Sequence, residues 1–110
     1  MKSILAKVAD VKQISEGRHK IVFFEQKEVV IFNLKGEFYA LENLCPHRKG
    51  PLSEGIIVDD TIVCPWHGAR FDIKTGRGLL GPHRCDAKIF QIAVEGSEIR
   101  IVKTTAAKPH

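Results

Sequence analysis

The chain of 110 residues predicts an all-β fold, a small antiparallel sandwich or barrel. Three observations predict it. Short β-branched and aromatic runs recur along the chain. Turns bearing glycine or aspartate punctuate them. No segment sustains an apolar period of 3.6 residues.

The elements follow in order. Residues 8–15 are read as containing a helical turn. Residues 29–34 and 37–41 are β-branched and aromatic and are joined by Lys35-Gly36, which predicts a hairpin. Residues 56–58 and 61–63 flank Asp59-Asp60, a second hairpin. Residues 70–73 run into Lys74-Thr75-Gly76, where glycine makes a positive φ cheap. Residues 89–94 and 99–102 flank a turn at 95–98, the last hairpin. Residues 1–103 are expected to form one domain. Residues 104–110 lack apolar periodicity and are expected to be a flexible tail. Phe23, Phe24, Phe32, Phe38 and Phe90 are expected in the core.

Composition excludes several classes of function. The net charge is +4, yet there is no basic run, and one Trp and one Tyr make no stacking platform, so nucleic-acid binding is not expected. No apolar run approaches the roughly 20 residues needed to span a bilayer. Lys7 and Asp10 interrupt the N-terminal apolar residues, so no signal peptide is expected. Three cysteines are an odd count and suit a reducing compartment, so the expectation is a cytoplasmic protein; it is expected to be a monomer.

Chemistry is concentrated in two segments, Cys45-Pro46-His47 and Cys64-Pro65-Trp66-His67. Each offers one thiolate and one imidazole. Two such loops, crossing, serve a pair of metals in which one ion takes two sulfurs and the other two nitrogens. That is the ligation of a 2Fe–2S centre with two histidines on one iron. Cys45 follows the first hairpin, and Cys64 ends the second, just before the strand at Phe71. Both loops can therefore stand at one tip of the sheets, held by rigid strands. Pro46 and Pro65 stiffen the turns, and Gly50 and Gly68 let the backbone curve so that N–H groups can face an anionic centre. A competing reading of the same four residues is a Cys2His2 zinc module, although zinc knuckles more often pair Cys with Cys.

The residues 45–55, from Cys45-Pro46-His47 to Gly55, and 64–72, from Cys64-Pro65-Trp66-His67-Gly68 to Asp72, resemble the two signature boxes of Rieske-type 2Fe–2S ferredoxins. The resemblance implies a small β-sandwich with a cluster-binding subdomain of two loops at one tip. It implies one 2Fe–2S cluster per chain, with Cys45 and Cys64 on the inner iron and His47 and His67 on the outer iron. It also implies a one-electron carrier and no catalytic residues: electrons come from a flavin-type reductase and leave to an oxygenase or similar acceptor. The small subunit of a nitrite reductase complex is the alternative.

The departures from the family's high-potential members are informative. Those members bridge the loops with an extra cysteine in each box; Gly50 and Trp66 stand here. They also carry serine and tyrosine hydroxyls that donate to the cluster, where this chain has Ala69 and Phe71. Fewer donors predict a low potential, toward the roughly −150 mV end of the Rieske range.

Other residues are weighed singly. Arg48, Lys49, Arg70, Lys74, Arg77 and Arg84 lie on or near the two boxes and the segment after them. They are either a solvated rim or a positive face toward an acidic partner. Trp66 is expected to be partly exposed and to dock. Cys85 is expected to be a small apolar residue near a turn, with a fifth ligand or a regulatory thiol as the sharper readings. His19, His83 and His110 are expected at the surface, and Gly81-Pro82 in a turn that could shield the cluster.

Overall fold

The computed structural model describes residues 3–44, 50–64, 69–80 and 86–104. Eleven strands are described: β1 (Ser3–Asp10), β2 (His19–Phe24), β3 (Lys27–Leu34), β4 (Glu37–Glu42), β5 (Ile56–Val58), β6 (Thr61–Val63), β7 (Arg70–Asp72), β8 (Gly78–Leu80), β9 (Ile89–Phe90), β10 (Ile92–Glu95) and β11 (Glu98–Thr104). They form three antiparallel sheets in the orders β1-β11-β10, β2-β3-β4-β9 and β5-β6-β7-β8.

The second sheet is the middle layer, and β3 shows why. Its run from Val29 to Leu34 is buried throughout instead of alternating, as expected for a strand covered on both faces. Val30, Phe32 and Leu34 pack with Leu52, Ile62, Cys64, Phe71 and Ile73 toward the third sheet. Val29 and Ile31 pack with Ala9, Ile14, Val22, Ile99 and Ile101 toward the first.

The turns carry the expected chemistry. Lys35 and Gly36 both have positive φ between Leu34 and Glu37, which pair, so this is the tight hairpin that matches strand twist. Asp59 (φ 54), Gly76 (φ 78) and Gly96 (φ 62) turn the other three. The helical turn within 8–15 is a 3-10 turn, Val11–Gln13. Asp10 accepts from the Lys12 N–H, and Gln13 reaches back to the Asp10 N–H.

Some features differ from the reading of the sequence. The expected strand 89–94 is two strands. Ile89-Phe90 pairs with β4 and Ile92–Glu95 with β11, so Gln91 is a corner where the chain changes sheets. β11 extends to Thr104, which pairs with Ser3; residues 105–110, with His110, lie outside the described residues. Phe32 is fully buried, and Phe24, Phe38 and Phe90 pack partly buried against the core. Phe23 is a correction: it is 73% exposed. β2 is the edge of its sheet, and its Val22 and Phe24 face the first sheet. Ile21 and Phe23 therefore point to the other side, where the short third sheet leaves them uncovered. His19 is at the surface as expected.

Candidate metal centre

The register of the third sheet brings described residues that flank the chemical segments to one end. Ile56 pairs with Val63, Val63 with Arg70, and Arg70 with Leu80. Antiparallel pairing thus puts the start of β5, the end of β6, the start of β7 and the end of β8 at one end of the sheet. Segment 45–49 leads to it through residues 50–55, segment 65–68 joins β6 to β7 there, and segment 81–85 leaves from β8. Cys45, His47 and His67 lie outside the described residues, as do Arg48, Lys49, Trp66, Gly68, Gly81, Pro82, His83, Arg84 and Cys85.

Cys64 is the predicted ligand that the described structure places. It follows β6 and is 1% exposed, in the core between the second and third sheets. Its backbone N–H donates to the Ala69 carbonyl at 2.6 Å, which closes the foot of the second loop. Phe71 is buried in the same core and Ala69 packs against it, so both positions without a hydroxyl line the foot of this loop.

The first loop has its own foot, and the sequence alone gave no sign of it. Asn43 is 6% exposed. Its backbone N–H donates to the Glu28 carbonyl at 2.8 Å, its Nδ2 donates to Glu28 Oε1 at 3.1 Å, and its Oδ1 accepts from the Ser53 N–H at 2.7 Å. Asn43 therefore ties residues on both sides of segment 45–49 to β3. A buried amide with partners on both Nδ2 and Oδ1 is held in one orientation. Gly55 then presses on β6: a Cβ there would lie 2.2 Å from the Val63 carbonyl oxygen. The feet of the two loops are thus in contact.

The third segment is recaptured on the far side. The Gly78 N–H donates to Asp86 Oδ1 at 3.0 Å, and the Ala87 N–H donates to the Gly76 carbonyl at 2.7 Å. Gly76 is required twice over, by its φ of 78° and because a Cβ would lie 2.4 Å from the Ala87 carbonyl oxygen.

The expected basic rim is narrower than the sequence suggests. Arg70 stands beside the second loop. Lys74 does not: it follows Asp72, which pairs with Thr61 at the opposite end of the sheet, and it pairs with Asp60 at 3.4 Å. That hydrogen bond to Asp60, with Coulombic attraction, raises its pKa. The Arg77 backbone carbonyl accepts from the Asp72 N–H at the same far end.

Comparison with known proteins agrees with this arrangement. The model of the Rieske [2Fe-2S] domain matches residues 5–91, and the chain belongs to that family. Its cofactor is accordingly a 2Fe–2S cluster, and the zinc reading falls. The chain is 37% identical over 89 residues, 81% of its length, to the ferredoxin component of the naphthalene 1,2-dioxygenase system of Pseudomonas aeruginosa, covering 86% of that protein. A solved complex of reduced oxygenase and oxidised ferredoxin in carbazole 1,9a-dioxygenase matches with a TM-score of 0.83 and 26% identity, over 96% of this chain and 98% of the matched chain. The fold is also that of a small subunit described for an NADH-dependent nitrite reductase of Mycobacterium tuberculosis. There the TM-score is 0.84 at 18% identity, over 96% of this chain and all of that one.

The residues present fit the cluster. Two thiolates and two imidazoles are the donor set of a Rieske centre. The one candidate donor among the described residues is Cys64, a buried cysteine at the loop end of the third sheet. Among the described residues, no helix is long and apolar enough to cross a membrane.

Proposed function

We propose that this chain is the ferredoxin component of an aromatic-ring dioxygenase system, accepting one electron from a flavin reductase and delivering it to the oxygenase. The observation that carries this is the 37% identity to a dioxygenase ferredoxin along most of both chains, joined to a buried Cys64 just past the end of β6. The nitrite reductase reading has fold likeness behind it at 18% identity, and fold does not fix function.

In this reading Cys45 and Cys64 hold the inner iron, and His47 and His67 hold the outer iron. The cluster supplies a one-electron couple. The chain's own residues do the rest. The core around Cys64, with Leu52, Ile62 and Phe71, excludes water from the sulfur side. The Asn43 and Cys64 hydrogen bonds hold the loop feet in place, so that little protein has to reorganise when the charge changes. Ala69 and Phe71 supply no hydroxyl donor to the reduced state, which favours a low potential. The sheets from β1 to β11 act as one domain, and the protein works as a cytoplasmic monomer that meets each partner through a small, weak interface.

The experiment is reconstitution with a flavin reductase and oxygenase of a dioxygenase system. NADH-dependent turnover should require this chain and scale with it. Failure to reduce the oxygenase, with stable co-elution from cell extract on a nitrite reductase instead, would overturn the reading.

A further inference from the structure

We propose that Asn43 is a positioning residue for the first ligand loop: its side chain ties residue 43, before segment 45–49, to Ser53, after it, and so governs how firmly Cys45 and His47 retain the cluster. The proposal rests on the ligand assignment above.

Four features carry it. Asn43 stands two residues before Cys45 and spans the loop to Ser53, which is itself buried. The contact is side chain to backbone, so it depends on this residue and not on the strand ladder. Its orientation is fixed by Glu28, which accepts from Nδ2 and thereby turns Oδ1 toward Ser53. Lastly, Glu28 lies on β3, so the first loop is fastened to the middle sheet as well as to the third. Removing the amide leaves the Ser53 N–H buried without its acceptor, a cost the loop can relieve only by opening to water. An opened loop exposes its ligands to exchange.

Asn33 is a matched control. It is 5% exposed, its Nδ2 donates to the Ile14 carbonyl at 2.8 Å, and its Oδ1 accepts from the Gly36 N–H at 2.7 Å. The chemistry is the same, but it serves the β3–β4 turn, away from the loop end.

The test uses the cluster-loaded protein and two readouts: the rate of iron loss to a chelator, and amide hydrogen exchange in residues 50–55. Asn43→Ala should raise both about tenfold, the factor for one lost hydrogen bond of about 1.4 kcal/mol. Asn33→Ala should leave both within about twofold of the parent. Equal effects from the two variants, or none from Asn43→Ala, would overturn the proposal. Should Asn43→Ala not accumulate, the double variant Glu28→Gln with Asn43→Asp decides. It exchanges donor and acceptor between the two residues, keeps the acceptor for Ser53, and should restore both rates to within about threefold of the parent. Failure of that restoration counts against the role. A parent protein that binds no iron would sink the proposed function instead, and the exchange readout would still judge Asn43.

Discussion

Gly55 and Val63 stand so close that the glycine's missing side chain is the space between them: a Cβ would lie 2.2 Å from the Val63 carbonyl oxygen and 3.2 Å from Ile62 Cδ1. One residue before Cys64, this contact joins the exit of the first loop to the strand that carries the second. The two atoms nearest the added Cβ, the Val63 carbonyl oxygen and its carbon at 3.1 Å, are backbone and cannot rotate away.

Gly55→Ala is therefore expected to lower stability by about 1–3 kcal/mol, the range for forcing a methyl group into a packed site. Denaturant unfolding measures it. Gly36→Ala is a useful contrast: no atom lies within 4 Å of its added Cβ, so any loss there comes from its φ of +91° alone. Gly55→Ala should also accelerate cluster loss, whereas Gly36→Ala should not.

The second expectation concerns potential. Ala69→Ser and Phe71→Tyr would restore hydroxyl donors at the foot of the second loop. A donor that favours the reduced state by about 1.4 kcal/mol raises a one-electron midpoint by roughly 60 mV. Each substitution should move the midpoint upward by about that much, measured by redox titration. A parent midpoint well above zero would reject the low-potential reading.

Tyr39 offers a pH test. Its hydroxyl donates to Glu37 Oε1 at 2.7 Å, and this bond, with desolvation and the Glu37 charge, raises its pKa above the ordinary 10.0. The folded state favours the neutral phenol, so the contribution to stability is present below the unfolded value and is lost as pH rises through the folded one. Tyr39 is the chain's one tyrosine, so phenolate absorbance reads it alone. Glu37→Gln should shift the titration downward toward 10.0. An unchanged curve would show that Glu37 does not hold the phenol.

What could be read from the sequence was local. The two ligand boxes, the Lys35-Gly36 hairpin and the Asp59-Asp60 turn each depend on residues adjacent in the chain. β2 escaped notice because Glu25 and Gln26 turn it into β3. Both have positive φ without being glycine or asparagine, so the usual turn signal is missing. The break at Gln91 depends on which sheet each half pairs with, and no local residue marks it. Phe23 looks like core by type, and only the short reach of the third sheet exposes it. Asn43 acts through Glu28 and Ser53, fifteen and ten residues away. Its role cannot be seen until the sheets are assembled.

Cys64→Ser should abolish stable cluster binding if Cys64 holds the inner iron as proposed, because it replaces a buried sulfur. It should leave the β-sheet circular dichroism of the domain in place, since the side chain is close in size. Iron analysis beside the spectrum separates loss of cluster from loss of fold.

The most direct measurement is pulsed EPR on the reduced protein, with iron and acid-labile sulfide counted on the same sample. The account predicts two iron and two sulfide per chain and hyperfine coupling to two imidazole nitrogens, reduced to one by His47→Cys or His67→Cys. Absence of labile sulfide, or a reduced signal with no nitrogen coupling, would contradict it.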